Sequence, residues 1–381
     1  MGRRVAICAM AQIKNEPDIW YSRFQGMLLE CLEPIIKETG VTFDMEKGIR
    51  NIVTCSDDVY DARTISDNGM TDVVGAHLRG EEKVSQDGLN AIAYGMSMIL
   101  SGHDDVVLLM AHNKESQTES RDMCGNIAFD PYYYREIGLD YLNTSALQAR
   151  EYMTKSGVTD EHLADLVVRS REKAAKNPYA RENKKISRQD VLNSKLLSDP
   201  LRELHYHPVT DWAVGMLLCC EERAKEFCKN PVWLTGFANC QDRYFIGDRE
   251  LTSNGTIKKA AERAYKMAGV KDPKNEFDLY ELNDPFAHQL PLTAEGIGLV
   301  DAGKGGKWLD EGGPDKKNVN LSGGMLNGNP IMLGGLARTM ECYLQLKGEA
   351  GARQVKDAKK ALAHGTTGPA GQHQAVLILE K

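Results

Sequence analysis

Long apolar runs and an excess of positive charge are both missing from this chain. No segment approaches the roughly 20 consecutive apolar residues that a helix needs to cross a bilayer. The 47 Lys and Arg residues are outnumbered by 54 Asp and Glu residues, which leaves a net charge of −7. General binding to nucleic acid requires a basic face. We therefore expect neither a membrane span nor a nucleic-acid partner.

Paired cysteines are also missing, although the chain has nine cysteines. Their number is odd, their spacing is irregular and no C-x-x-C pair occurs, so neither a zinc knuckle nor a dithiol redox motif is supported. Several lie in apolar runs, which is typical of buried thiols in a reducing cytoplasm. His205 and His207 alternate in "LHYHPVTD" as strand-edge positions would, and without a third ligand they predict no metal site.

Two motifs of common α/β enzymes do not occur. No G-x-G-x-x-G opens a helix, which excludes a simple dinucleotide-binding unit, and no G-x-S-x-G surrounds a serine, which leaves a hydrolase without support. Strand-like and helix-like runs nevertheless alternate in residues 1–115 and 250–381, and this alternation indicates α/β layers. The strand-like runs are 5–11, 52–55, 106–111, 277–282, 319–321 and 375–379; the helix-like runs are 27–39, 89–100, 257–268 and 333–346.

The stretch between these two regions has a different character. Residues 115–205 carry many charges, two amphipathic helix patterns and the aromatic-rich segment "FDPYYYREIGLDYL". An insertion of this size is usually functional rather than a mere linker. We expect it to contribute to a binding site.

Four segments resemble, in order, the characteristic segments of the thiolase superfamily. They are "DGLNAIAYGMSMILSGHDDVVLLMAHNKES", "HPVTDWAVGMLLCCEERA", "YELNDPFAHQLPL" and "NLSGGMLNGNPIMLGGLARTMECYLQL". "AAKNPYA" is similar to a segment of the sterol-carrier-protein type, and the whole chain is similar to the thiolases that act on benzoylsuccinyl-CoA. The resemblance implies an α/β thiolase fold with two similar halves in a five-layer α-β-α-β-α sandwich. Residues 1–250 would form the first half, with a loop domain inserted at about 115–205, and residues 251–381 the second.

The resemblance also implies a reaction, in which a carbon–carbon bond beside a thioester is cleaved or formed with coenzyme A as a substrate. This chemistry needs an activated thiolate, hydrogen-bond donors at the thioester oxygen and a base. The family's nucleophilic Cys lies three residues before a helix-start glycine, and counting back from Gly88 gives Ser85. Ser85 is therefore a nucleophile that needs its own base, an N-cap of the following helix, or a contact in the oxyanion hole or the pocket. Cys124, in the inserted region, is a candidate to replace the missing thiol.

Four further residues fall on the family's site motifs or beside them. Asn283 of "ELNDPFA" matches the Asn that positions water in the oxyanion hole, with a turn-capping Asn as the alternative. Asn329 replaces the His of the family's "GHP", and its amide donates a hydrogen bond but takes no proton. His364 lies near the family's second cysteine and is a candidate base, as is His288, although a lone His is often structural.

Binding residues and partners are implied in the same way. Arg171, Lys173 and Lys176 are candidates for the phosphates of CoA, although such a run is usually a solvated helix face. Gly324 and Gly365 would let the backbone approach CoA. No metal is expected in this chain. Thiolases are dimers, so a homodimer is expected; a small partner subunit with a zinc ribbon and an OB fold would make a heterotetramer.

Three functions remain open from the sequence. The first is CoA-dependent cleavage of a bulky, aromatic 3-oxoacyl-CoA, such as benzoylsuccinyl-CoA, to two acyl-CoA esters. The second is a retro-aldolase on the same fold that acts on a β-hydroxyacyl-CoA. The third is a non-catalytic acyl-CoA-binding subunit.

Overall fold

A computed structural model describes residues 3–63, 65–328 and 330–381. The predicted site residue Asn329 lies outside the described residues. Strands β1–β11 span Val5–Gln12, Asn51–Cys55, Gly80–Val84, Val106–Lys114, Leu196–Ser198, Leu201–Arg202, Asp211–Cys220, Val232–Gln241, Leu279–Glu281, Lys360–Thr367 and His373–Glu380. Helices α1–α13 span Phe24–Thr39, Asp67–Met70, Gly88–Leu100, Arg121–Ile127, Tyr141–Ser156, Asp160–Ala174, Arg188–Leu192, Glu221–Phe227, Gly255–Ala268, Gln289–Gly296, Gly305–Asp310, Gly313–Lys316 and Gly334–Lys347.

Nine of these strands form one sheet in the order β3-β2-β4-β7-β1-β8-β11-β10-β9. In the first half, β2 runs parallel to β3 and β4, and β7 is antiparallel to β4 and β1. In the second half, β11 is antiparallel to β8 and β10, and β10 is parallel to β9. The two halves join where β1 pairs with β8 over three residue pairs, Val5 with Leu234 to Ile7 with Val232.

The apolar side chains of this sheet divide among three cores. Along β1 the faces alternate, because successive side chains of a strand point to opposite sides. Val5 and Ile7 enter a core that contains α3, α13 and strands of both halves, while Ala6 and Cys8 enter a core with α1. A third core packs α9 against β10 and β11. The layers therefore follow the order α1, first half-sheet, α3 with α13, second half-sheet, α9, which is the predicted five-layer sandwich.

Local sequence explains the main helices. The side chain of Asp87 caps α3, and α9 ends at Gly269, whose φ of 71° is left-handed and suits glycine. The inserted region lies in the chain between β4 and β7 and contains helices α4 to α7 and the small hairpin of β5 and β6. None of the helices in the described residues combines the length and the apolar character that a membrane span requires.

Several strands differ from the sequence prediction. Residues 319–321, predicted as a strand, form only an isolated bridge between Val319 and Tyr280. The predicted runs did not include β3, β5, β6, β8 or β10. β3, "GEEKV", is an edge strand with one partner and polar side chains, so it lacks the apolar alternation of a buried strand. β10 lies between β9 and β11 and is buried along most of its length. His364 is in the middle of β10.

Candidate active site

A cavity of about 140 Å³ opens where the loops after β2, β9 and β10 meet the N-terminus of α13. Ligand sites of α/β sheets commonly form at the carboxyl ends of strands. Two tyrosines, several polar residues and two short segments line the wall: Tyr60, Tyr141, Asp57, Cys124, His207, Asn283 and parts of 331–334 and 366–369, the last of which includes Thr366 and Thr367. The inserted region thus contributes to the cavity through Cys124 and Tyr141.

Asn283 is held in this cavity by hydrogen bonds on two sides. Its backbone N–H donates to His364 Nδ1 at 3.2 Å, and its side-chain Nδ2 donates to the carbonyl of Thr366 at 3.3 Å. The remaining side-chain oxygen, Oδ1, is buried without a partner among the described residues. A buried acceptor without a partner is rare in proteins, and it is typical of a place where a ligand or water binds.

His364 lies beneath Asn283 and is not part of the cavity wall. Both ring nitrogens are bonded: Nδ1 accepts from Asn283, and Nε2 lies 2.6 Å from Gln374 Oε1. Since Nδ1 is the acceptor, the proton is on Nε2 and is donated to Gln374. Burial lowers the pKa of His364 to about 4. This neutral, fully bonded ring is suited to positioning Asn283.

His288 also lies away from the cavity. It is buried, with Nε2 at 3.0 Å from Gln148 Oε1, and Nδ1 has no partner in the described part of the chain. Burial, and secondarily the neighbouring His205, lowers the pKa of His288 to about 3. The structure therefore does not bring His288 together with Asn283 in one cavity.

Ser85 lies in the turn between β3 and α3, is exposed and is not part of the cavity wall. The alternative that Ser85 is the N-cap of α3 is wrong. α3 begins at Gly88, and Asp87 is the N-cap because its Oδ1 accepts from the backbone N–H of Leu89 at 2.9 Å.

Asp87 also connects the start of α3 to the start of α13. Its Oδ2 accepts from the backbone N–H of Gly335 at 2.9 Å. Burial raises the pKa of Asp87 to about 7, while the two backbone N–H groups act in the opposite direction. A Cβ at position 365 would lie 1.9 Å from Asp87 Oδ1, so Gly365 leaves space for this carboxylate. Gly324 similarly leaves space for Asp284, at 2.8 Å, and neither glycine lines the cavity.

Cys124, on α4, shares the cavity with Asn283. Its Sγ lies 3.7 Å from the carbonyl of Val59. Burial, and then the nearby Asp57, raises the pKa of the Cys124 thiol. Cys124 therefore remains a protonated thiol at neutral pH, which is a poor nucleophile.

His207 lines the cavity, although the sequence did not predict it as a site residue. It is buried, its Nδ1 lies 2.8 Å from Arg121 Nη2, and its Nε2 has no partner among the described residues. The alternating "LHYHP" was its only signal, and that pattern indicated a strand edge. Within the ranges that the structure covers, no three His, Cys, Asp or Glu side chains converge as a metal site would require.

A second cavity, of about 360 Å³, contains Arg171 and Arg181 with Lys14 and three asparagines. Burial, and then the charge of Arg181, lowers the pKa of Arg171 to about 10. Lys173 lies outside this cavity and pairs with Asp315 at 2.7 Å, while Lys176 is exposed. Of the three predicted phosphate ligands, Arg171 is the one that lines this cavity.

Similarity to known proteins agrees with this architecture. The thiolase C-terminal domain-like family matches residues 238–381. The acetyl-CoA acetyltransferase of Methanothermobacter thermautotrophicus is 30% identical over 97% of this chain and 99% of its own length. The benzoylsuccinyl-CoA thiolase subunit BbsB of Thauera aromatica is 30% identical over 58% of this chain and 59% of its own.

Two solved structures share the fold at low sequence identity. The Ltp2-ChsH2(DUF35) aldolase superposes with a TM-score of 0.81 and 18% identity, over 99% of this chain and 97% of that chain. Human mitochondrial 3-ketoacyl-CoA thiolase superposes with a TM-score of 0.73 and 14% identity, over 100% of this chain and 99% of that chain.

Proposed function

Because this chain belongs to the thiolase superfamily, we propose that it is an acyltransferase that cleaves or forms a carbon–carbon bond in an acyl-CoA within the cavity around Asn283. One observation carries the proposal. The amide of Asn283 is buried and held from behind by His364, and its oxygen has no partner in the described part of the chain, in a cavity at the N-terminus of a 14-residue helix. The positive end of a helix dipole favours the negative charge that develops on a thioester oxygen.

The nucleophile in this proposal is the thiolate of CoA. Among the described wall residues Cys124 is the one thiol, its raised pKa keeps it protonated, and Ser85 lies outside the wall. The CoA thiolate adds to the C3 carbonyl of a 3-oxoacyl-CoA and forms an alkoxide. Collapse of the alkoxide breaks the C2–C3 bond, releases a new acyl-CoA and leaves an enolate of the second acyl-CoA, which takes a proton at C2.

The proposed acyl group is bulky and aromatic, as in benzoylsuccinyl-CoA. The rings of Tyr60 and Tyr141 form part of the wall, and aromatic rings prefer offset-stacked or edge-to-face partners. The relative BbsB is named for benzoylsuccinyl-CoA. Both observations support an aryl-substituted substrate over a short aliphatic one.

We propose that Arg171, with Arg181, binds a phosphate of CoA. The two guanidinium groups share a cavity in which the carboxylate, Glu182, is bonded to Lys14 at 2.5 Å. Guanidinium groups bind phosphate through paired N–H donors. Lys173 and Lys176 are less suited to this role, because one is paired with Asp315 and the other is in solvent.

The proposed assembly is a homodimer together with a small partner subunit that carries a zinc ribbon and an OB fold. The aldolase of similar fold bears the double name Ltp2-ChsH2(DUF35), and BbsB is named as a subunit. Measurement of mass in solution, with and without such a partner, tests this assembly. A monomer at micromolar concentration would contradict it.

A retro-aldolase is the second candidate, because the wall contains a carboxylate. Burial raises the pKa of Asp57, which makes it a stronger base for the hydroxyl proton of a β-hydroxyacyl-CoA. The proton leaves the C3 hydroxyl, the C2–C3 bond breaks, and a ketone or aldehyde is released with an acyl-CoA enolate. This reaction consumes no CoA.

Omission of free CoA separates the two reactions. For the thiolase, cleavage of an aryl-substituted 3-oxoacyl-CoA stops without CoA and yields two CoA esters with it. For the retro-aldolase, a β-hydroxyacyl-CoA is cleaved at the same rate with and without CoA. A non-catalytic binding subunit would show two results together. The chain alone would turn over neither ester, and the activity of its partner protein would not change when the chain carries Asn283→Ala.

A trapping experiment tests the identity of the nucleophile. Incubation with the 3-oxoacyl-CoA, an acid quench and mass spectrometry of the intact chain should find no acyl adduct. Cys124→Ala should keep kcat within about threefold, because a protonated thiol contributes little as a nucleophile. An adduct that disappears in Cys124→Ala, together with loss of turnover, would reinstate an enzyme thiol.

A further inference from the structure

His207 is the polar wall residue that the proposed reaction leaves without a role. Its backbone N–H donates to the carbonyl of Pro285 at 2.9 Å, two residues after Asn283. The ring is 1% exposed and borders the same cavity as Asn283. Its Nε2 is buried and has no partner among the described residues. The ring is therefore fixed in place, while one of its two nitrogens is left for a ligand.

Arg121 determines which nitrogen of His207 carries the proton. Its guanidinium holds the residue at two points, because Nη1 donates to the His207 carbonyl at 2.9 Å and Nη2 lies 2.8 Å from Nδ1. A guanidinium only donates, so Nδ1 must accept. The carbonyl of Pro208 also lies near Nδ1, at 3.4 Å, but the charged donor is closer. The proton of the neutral ring is therefore on Nε2.

The charge of Arg121 is balanced within the protein. Its Nε donates to Glu115 at 2.5 Å, and the guanidinium stacks over the ring of Tyr206 at 4.4 Å. Burial, and then the charge of Arg121, lowers the pKa of His207 well below its usual range. The ring stays neutral at physiological pH, so it donates a hydrogen bond without giving up its proton.

The cavity needs such a donor for the reaction proposed above. An alkoxide at C3 requires hydrogen-bond donors, and Asn283 uses one of the two N–H groups of its Nδ2 on the carbonyl of Thr366. Its Oδ1, which has no partner among the described residues, is an acceptor and reaches an oxyanion only through a water molecule, so the amide supplies at most one direct donor. His207 lines the same cavity, and its buried Nε2–H has no acceptor among the described residues, so this N–H is available as a direct donor.

We propose that His207 is a catalytic residue whose Nε2–H donates to the C3 oxygen of the acyl chain, with Arg121 and Glu115 as the positioning pair that fixes its tautomer. This role rests on the proposed function, since the C3 oxygen belongs to an acyl-CoA substrate. His207 remains neutral throughout, and negative charge develops on the substrate oxygen alone.

Two substitutions of His207 distinguish loss of the Nε2–H donor from loss of the contact between Nδ1 and Arg121. In His207→Asn the short amide still offers an acceptor near the position of Nδ1, but no donor reaches the position of Nε2. In His207→Gln the longer amide places a donor near the position of Nε2. His205→Asn is the matched control, because His205 is also buried, its Nε2 has no partner within the described ranges, and it lies outside the cavity wall.

The expected result is a loss of kcat of about 100-fold in His207→Asn, as for removal of one oxyanion donor elsewhere. KM should change by less than about threefold, His207→Gln should recover at least about tenfold in kcat, and His205→Asn should stay near the wild type. Thermal melting of each variant checks folding. Independently of activity, ¹⁵N-histidine NMR of the wild-type protein should place the His207 proton on Nε2.

A His207 proton on Nδ1, or a kcat of His207→Asn within about twofold of the wild type, would overturn the role of His207 and leave the proposed function standing. A wild-type protein that converts no acyl-CoA ester would instead overturn the proposed function, and with it the role at C3. If His207→Asn does not fold, His207→Gln and the tautomer measurement decide.

Discussion

Asp87 accepts a hydrogen bond from the backbone N–H of Gly335 at 2.9 Å, although the two residues are 248 positions apart in the chain. The same carboxylate caps α3 through Leu89. The turn that carries the family's nucleophile is therefore fixed to the start of α13, the helix whose N-terminus borders the cavity. The geometry of this turn has a structural role here, independent of whether Ser85 reacts.

Substitution of Asp87 should change the pH dependence of stability. Its folded pKa of about 7 exceeds that of an unfolded Asp, about 3.9, so the folded state binds this proton more tightly. The contribution is present below about pH 4 and is lost as pH rises through about 7. The difference in unfolding free energy between the wild type and Asp87→Asn should therefore shrink by on the order of 3 kcal/mol from pH 4 to pH 8, as measured by urea denaturation.

Asp140→Asn is a suitable control for this experiment. Asp140 is the N-cap of α5, where it accepts from Asn143 at 2.7 Å, but it is half-buried. The difference in unfolding free energy between Asp140→Asn and the wild type should change much less over the same pH range. If the difference in unfolding free energy between Asp87→Asn and the wild type stays constant with pH, the pKa of Asp87 in the folded wild type is not raised.

Loss of the Asn283 side chain should lower kcat more than it raises KM. In the proposed reaction this amide would hold the water or ligand at Oδ1, and an oxyanion-hole contact contributes about 100-fold to kcat. Asn283→Ala should therefore lose about that factor in steady-state assays of the acyl-CoA reaction. Asn275→Ala, at an exposed position bonded to Asp272, is the control. Equal kcat values for Asn283→Ala and the wild type would remove Asn283 from the site.

Ser85 should be dispensable for turnover. Its side chain is exposed and lies outside the wall of the cavity. Ser85→Ala should keep kcat within about twofold, because the proposed nucleophile is CoA. Steady-state kinetics with saturating CoA checks this expectation. A loss of about 100-fold, with an acyl adduct on Ser85 in the wild type, would make Ser85 the nucleophile.

Arg171 should affect the affinity for CoA through a phosphate. Arg171→Ala should raise KM for CoA about tenfold and leave kcat unchanged, because the contact is remote from the reacting atoms. The same substitution should have a smaller effect with a pantetheine thiol, which lacks the nucleotide. Lys176→Ala, at an exposed position, is the matched control. An equal effect with both thiols would place Arg171 outside a phosphate site.

The sequence predicted elements whose signal is local. β1, β11, α3 and α13 lie within a few residues of their predicted bounds, because apolar runs and helical periodicity depend on neighbouring residues. β3 and β10 were missed for opposite reasons. β3 is a polar edge strand, and the glycine and threonines after His364 obscure the buried strand that contains them.

The candidate site also contains residues that a local motif predicted and residues whose position it did not predict. Asn283 was predicted from a motif of adjacent residues and lines the cavity, while Asn329 stays a prediction. His364, predicted as a base, lies behind Asn283 with both nitrogens bonded. The contact between His364 and Asn283 depends on the pairing of β9 with β10, which cannot be read from the order of residues.

By itself the sequence determined the fold family, and it predicted the turn in which Ser85 stands at the expected position of a cysteine, since both depend on short segments that keep their order. Tertiary structure alone decided which polar groups share a cavity and in what protonation state. Arg121 and His207 are 86 positions apart, and their contact sets the tautomer that faces the cavity. Burial and a donor from a distant segment determine where a proton resides, and both exist only once the chain has folded.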